Sequence, residues 1–145
     1  MSDVNIEILK DITDQYMKDM NYLLLQLSNN IVFPTKVYLE NLISKKGSII
    51  IIATKNKKII GTLTLVIINL LSGKKSRIED VVVDINFRNQ GIGTKLIQFA
   101  EKICIDRDIQ IIDLTSHPKR ISANKLYQRL GYIMGETNVY RKYII

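Results

Sequence analysis

The amino-acid sequence predicts an α/β fold of the α+β kind. It should be a mixed, mostly antiparallel twisted sheet of about six or seven strands with four helices, in the order βααβββαβαββ. Three observations carry this. Two β-rich runs flank Lys55-Asn-Lys-Lys58 as in an antiparallel hairpin. A third run ends in a glycine-bearing loop that opens a helix. Only one strand–helix–strand crossover follows that loop.

The elements follow in order. Val4–Leu9 alternates as a first strand. Thr13 or Asp14 can cap a helix carrying Tyr16, Met20, Leu23, Leu24 and Leu27 at helical intervals. Pro34-Thr35 opens a second helix with Val37, Tyr38, Leu39 and Leu42, and Gly47 is expected to end it. Ser48–Ala53 and Ile59–Asn69 form the hairpin, and Leu70–Ser76 is a turn into the strand Arg77–Asp84. In that strand Ile78, Val81, Val82 and Val83 suit a buried pleated surface. Ile92, Leu96, Phe99, Ala100 and Ile103 mark a helix running through residue 106. Gln110–Thr115 reads as a short buried strand and Ser122–Leu130 as a helix with Ala123, Leu126, Tyr127 and Leu130 on one side. Tyr132–Met134 and Val139–Tyr143 are expected to close the chain as a hairpin.

Its 145 residues fit a single domain spanning 1–145. A hydrophobic content of 46% and a charged content of 24% suit a soluble globular chain. No apolar run approaches the roughly eighteen residues of a membrane span. The start, Met1-Ser-Asp-Val-Asn-Ile-Glu, lacks a basic-then-apolar signal pattern. A lone Cys104, on the helix stripe, reads as packing and excludes an intrachain disulfide. A cytoplasmic setting is therefore expected, with no membrane partner. The net charge of +7 is spread along the chain without a basic stripe interleaved with aromatics, so no nucleic-acid partner is expected.

The most informative stretch is Arg77-Ile-Glu-Asp-Val-Val-Val-Asp84 with Arg88-Asn-Gln-Gly91-Ile-Gly93-Thr94-Lys95 close behind. A helix beginning at such a loop gathers unpaired N–H groups and its positive dipole end at one place, which suits a phosphate. A Walker A loop fails here, because the glycines are two apart and Lys95 follows a threonine. A dinucleotide fingerprint fails at its third small residue, where Leu96 stands, although Asp113 lies where a ribose-binding acid would be sought. The element order also lacks the strand–helix alternation of a nicotinamide-binding domain. Arg-x-x-Gly-x-Gly, matched by Arg88, Gly91 and Gly93, remains.

That motif resembles the acyl-coenzyme-A pyrophosphate loop of the GCN5-related N-acetyltransferase (GNAT) superfamily. The stretch Thr115-Ser-His-Pro-Lys-Arg-Ile-Ser-Ala-Asn124-Lys-Leu-Tyr127-Gln-Arg-Leu-Gly131-Tyr132 resembles the same family's second motif. The similarity covers residues 4 to 143 and looks most like small-amine enzymes such as the glucosamine-6-phosphate N-acetyltransferases. It implies an acyltransferase that moves an acetyl group from acetyl-CoA directly to a primary amine of a small molecule, an amino sugar or the like. A peptide amine is the lesser alternative, and no metal is implied. A noncatalytic acyl-CoA-binding sensor on the same fold is the rival reading. A homodimer is compatible with either.

The resemblance also assigns residues. Arg88, Asn89, Gln90, Gly91, Ile92, Gly93 and Thr94 would cradle the pyrophosphate. Val81, Val82 and Val83 would line the pantetheine where their strand parts from the next, with a main-chain N–H of Val81 or Val83 near the thioester oxygen. Asn124 would bond the pantetheine or phosphate arm, and Tyr127 would protonate the leaving thiolate. Tyr127 also reads as a core tyrosine beside Leu126 and Leu130. Strand alternation puts Glu79 and Asp80 on opposite faces, so only one of them is expected to meet the substrate. The resemblance prefers Glu79 as the group that deprotonates or orients the amine, because family members often place an acid or a water relay there. His117, followed by Pro118, is a weaker base, and a water relay stays open.

Overall fold

In a computed structural model, residues 3–145 are described; Met1 and Ser2, part of the start read above, lie outside them. The chain forms two compact units, residues 1–115 and 116–145, each treated by itself. The first holds a five-stranded sheet: β1 (Asn5–Ile8), β2 (Ser48–Lys55), β3 (Lys58–Leu70), β4 (Gly73–Val83) and β5 (Ile112–Asp113). The strands lie side by side in chain order, antiparallel except for the parallel pair β4–β5. Helices α1 (Asp14–Leu27), α2 (Lys36–Ser44) and α3 (Ile92–Asp106) complete it, with a short 3-10 turn at Ile85–Phe87. The second unit contains α4 (Ile121–Arg129).

The caps follow the sequence. Thr13 and Thr35 are extended N-cap residues, and their hydroxyls accept from the amides of Tyr16 and Tyr38 at 3.0 and 3.1 Å. Gly47 does not end α2: the helix stops at Ser44, with Lys45 extended as its C-cap. Gly47 instead lends its carbonyl to Ile67 N–H. The β2–β3 hairpin turns on Asn56 and Lys57, both left-handed at φ 52° and 64°, the twist a two-residue hairpin loop needs.

The sheet has two covered faces. Ile50, Ile52, Ile59 and Val82 form one cluster with Leu9, Met20, Leu23 and Leu39, joining α1 and α2 to the sheet. α3 covers the other face with Ile92, Leu96, Ile97, Ala100 and Cys104, all buried. It lies so close that a Cβ on Gly61 of β3 would stand 3.3 Å from Leu96 and 3.4 Å from Ile92. Glycine is what permits that approach. Between α1 and the sheet, Asp19 of α1 is buried, and its carboxylate accepts from Ile59 N–H at 3.0 Å and from Gln15 at 2.8 Å. It thereby satisfies an amide beside the register shift at Ala53/Thr54.

Three further expectations need correction. β4 starts at Gly73, not Arg77, because Lys74–Ser76 continue the ladder opposite Asn69–Ile67. β5 spans two residues rather than six, since only Ser76 and Arg77 of β4 pair with it. Residues 132–143 form no strand, so the sheet has five strands among the described residues instead of six or seven. Ile133 and Val139 are 92% and 71% exposed. Alternation alone does not make a strand without a neighbouring strand to accept its hydrogen bonds.

Candidate active site

The end of β4 is irregular in a useful way. Glu79 pairs with Thr64 and Val82 with Thr62, so Asp80 and Val81 together oppose Leu63. This is a β-bulge, and Asp80 takes a left-handed φ of 54°. The bulge cancels the alternation expected for the two acids. Asp80 turns back toward Thr64, whose hydroxyl donates to its carboxylate at 3.3 Å, and Thr64 is also the cross-strand partner of Glu79. Both carboxylates therefore border one threonine instead of opposite faces. Glu79 is paired with Arg77 two residues before it, and Arg77 also reaches Thr115 Oγ1 at 3.5 Å. Crowding of its carboxyl raises the Asp80 pKa, although the residue as a whole is exposed; the Thr64 hydrogen bond opposes this and the Glu79 charge adds to it.

Because β5 stops at Asp113, no described strand lies beside Ile78–Val83 on the side away from β3. Val82 is buried against the α1–α2 cluster, while Val81 and Val83 are half-buried. The main chain then enters the glycine loop. Asp84, fully buried, caps the 3-10 turn by accepting from Asn86 N–H at 3.1 Å. Gln26 of α1 braces the same corner by accepting from Ile85 N–H at 2.8 Å. Arg88 donates through Nε to the Val83 carbonyl at 2.9 Å, which ties the loop to the strand end. One such bond leaves most of the guanidinium's five donors for other partners.

Asn89 and Gly91 are both left-handed, at φ 62° and 78°, and bracket Gln90. Gly91 is the N-cap of α3, with no side chain capping the helix. The first intrahelical bond runs from Lys95 N–H to the Gly91 carbonyl. The amides of Ile92, Gly93 and Thr94 therefore point outward with the positive end of a fifteen-residue helix behind them. A Cβ on Gly91 would meet nothing within 4 Å. Backbone conformation holds this position to glycine, and the space it fronts is open. Successive amides aimed into open space form a nest for phosphate oxygens, so the residues suit a pyrophosphate-bearing ligand.

The second unit organises the other expected residues around α4. The helix ends in a Schellman motif: Gly131, at φ 95°, sends its N–H to Gln128 and Tyr132 sends its N–H to Tyr127. The accompanying side-chain contact is aromatic, with the Tyr127 and Tyr132 rings edge-to-face at 6.1 Å. Tyr127 is buried, and burial pushes its pKa above the ordinary value. Arg120 opposes that rise with its charge and a side-chain hydrogen bond. Asn124 spends its side-chain N–H groups on the carbonyls of His117 and Pro118, at 3.1 and 3.5 Å. His117 Nδ1 accepts from Lys119 N–H at 3.0 Å, and the residue is an exposed part of this turn. Among the described residues no cluster of three metal-ligating side chains occurs.

Sequence reading missed the bulge, Arg120 and Gln26. A signal existed for Arg120, which stands seven residues before Tyr127 and so on the same helical side. Gln26 offered none, being fifty-eight residues from Asp84.

The first unit is thus an α+β domain in which a strand with an open edge leads into a helix start free of a side-chain cap. The profile of the Acetyltransferase (GNAT) family matches residues 9–132, and the chain belongs to that family; it is an acetyltransferase. It is 25% identical over 134 residues to streptothricin acetyltransferase of Escherichia coli, covering 92% of this chain and 74% of that one. Its fold matches glucosamine-6-phosphate N-acetyltransferase from Arabidopsis thaliana with a TM-score of 0.75, at 21% identity and 99% coverage of both chains. It also matches an aminoglycoside N-acetyltransferase in complex with CoA, with a TM-score of 0.79, at 18% identity, covering 99% of this chain and 96% of that one.

Proposed function

We propose that this chain is one cytoplasmic acetyl-CoA-dependent N-acetyltransferase domain whose acceptor is a primary amine of a small molecule, an amino sugar or a related compound. The observation that carries this reading is the uncapped start of α3, with left-handed Asn89 and Gly91 before it and the open edge of β4 leading into it. The amides from Gln90 to Gly93 hold the pyrophosphate, supported by Thr94 and Arg88. The main chain of Val81–Val83 lines the thioester arm, with Asn124 as a further contact.

The acceptor must lose a proton before it attacks, since an ammonium has no lone pair. Asp80 takes that proton, because burial raises its basicity and no cation among the described residues pairs with it, whereas Glu79 is paired with Arg77 and orients the ammonium. The amine nitrogen then bonds the thioester carbon, and a β4 N–H stabilises the oxyanion. As the C–S bond breaks, the thiolate sulfur takes the phenolic proton of Tyr127, which is restored from the proton shed by the amine. Two acids beside Thr64 favour acceptors with more than one cationic group, and the streptothricin, glucosamine-phosphate and aminoglycoside enzymes support an amine-bearing small molecule.

The test is a CoA-release assay across amino sugars, polyamines, aminoglycosides and peptides. At least one small amine should give saturable turnover. Tight acetyl-CoA binding with no release on any of them would favour the sensor reading.

A further inference from the structure

We propose that Gln26, in the last turn of α1, is the positioning residue for the cofactor loop, its side-chain amide holding the corner at Asp84 and Ile85 from which the amides of Ile92, Gly93 and Thr94 take their aim; this rests on the transferase reading above. At that corner Asp84 N–H still bonds the Ile60 carbonyl of β3 at 2.8 Å. Beyond it the chain turns once as a 3-10 helix, closed by Phe87 N–H on the Asp84 carbonyl at 2.8 Å. Such a turn leaves its first N–H groups without a partner inside it. Asp84 serves one of them, its Oδ1 accepting from Asn86 N–H at 3.1 Å. The other, Ile85 N–H, donates to Gln26 Oε1 at 2.8 Å, and Gln26 Nε2 faces Asp84 Oδ1 at 3.5 Å. A backbone N–H only donates and a carboxylate only accepts, so these two neighbours fix which way the Gln26 amide lies.

Asp84 is fully buried, and its second oxygen, Oδ2, has no hydrogen-bond partner among the described residues. A buried carboxylate satisfied on one side only makes each donor on Oδ1 count. From Ile85 a short span through left-handed Asn89 and Gly91 reaches the start of α3, so a shift of the corner is carried to the helix start. The sheet holds this span through Arg88 on the Val83 carbonyl and through Lys55, whose ammonium lies 5.7 Å from the centre of the Phe87 ring. Gln26 is the hold that α1 contributes. Hydrogen bonds weaken steeply as their angle departs from linear, so several amides must be aimed together to grip one pyrophosphate. Loosening the corner therefore weakens cofactor binding and spares the chemistry at the thioester. Asp19 ties α1 to the sheet elsewhere, at Ile59 N–H, without touching the loop.

The experiment compares Gln26→Leu, which removes both hydrogen bonds at similar volume, with Asp19→Ala, which loosens α1 away from the loop. Calorimetry should show Gln26→Leu binding acetyl-CoA about tenfold more weakly, the weight of one or two hydrogen bonds. With a working amine its KM for acetyl-CoA should rise alike, while kcat at saturation stays within about twofold of wild type. Asp19→Ala should melt lower than wild type yet keep its acetyl-CoA affinity within about twofold. In 1H–15N spectra of the ligand-free protein, the Ile92, Gly93 and Thr94 signals should move in Gln26→Leu and stay in Asp19→Ala. Should Gln26→Leu fail to fold, Gln26→Asn, whose amide falls short of the corner, carries the same expectations. Unchanged affinity in the folded variant overturns the proposal, as does equal weakening in Asp19→Ala, which would make Gln26 a residue of general stability. A wild type that binds no acetyl-CoA would remove the transferase reading instead. The ligand-free signals alone would then decide whether Gln26 sets the loop, and unmoved signals would overturn it.

Discussion

At Asp80 a left-handed φ in a non-glycine residue moves a carboxylate from its expected face to the neighbourhood of Thr64. Asp80→Asn keeps the shape and tolerates the left-handed backbone. It should lower kcat by about 10²-fold or more if Asp80 is the base. Glu79→Gln should act mainly on the acceptor KM, and steady-state kinetics of the two variants distinguishes them. Stability should respond too. The folded-state pKa of Asp80 is raised, so between the unfolded and folded values the native chain binds more protons. Stability then falls as pH rises through that window, and the cost persists above it. Asp80→Asn should remove this component, leaving a melting temperature at neutral pH no lower than wild type and a flatter profile through the carboxylate range. Gly91 presents the opposite case, with open space but a backbone that L side chains resist. Gly91→Ala should fold with about 1–2 kcal/mol lost and bind acetyl-CoA several-fold more weakly by calorimetry. The turn at the glycine loop was legible because a left-handed backbone at Gly91 calls for glycine. The placement of Asp80 was not, because a bulge arises from register between two strands.

Helix starts that carry a capping threonine in the sequence emerged where expected. Thr13 and Thr35 start α1 and α2, and the apolar stripe of α3 runs to Asp106. Elements whose existence depends on a neighbour did not, as β5 and the segment after Gly131 show. Asp19 illustrates the tertiary side of the problem, since nothing local announces that its carboxylate serves Ile59 N–H forty residues away. Asp19→Ala should strand that buried amide and cost about 1–3 kcal/mol, read from denaturant midpoints. Asp19→Asn should recover part of it. On α4, Gly131→Ala should cost about 1–2 kcal/mol through its φ. Because the Schellman turn sets Tyr132 against Tyr127, turnover should drop alongside stability.

Over the whole first unit, the sheet is a plate with α1 and α2 bonded to one face and α3 to the other. Gln26 and Asp84 join the α1 side to the loop that feeds α3. In the middle of this assembly sits Cys104, 2% exposed and 3.3 Å from Ser76 Oγ of β4. No reagent in solution can reach that sulfur while α3 lies on the sheet, so the thiol acts as a clock for their separation. Its rate of alkylation counts opening events in a chain that needs no other label. The same helix begins at the proposed cofactor loop, and a ligand that binds the closed form must slow the clock by its occupancy. Saturating acetyl-CoA, at about a hundred times its Kd, should slow labelling roughly a hundredfold, with no acceptor amine present. Alkylation of Cys104 at the same rate with and without acetyl-CoA would mean that the helix start and the cofactor do not meet.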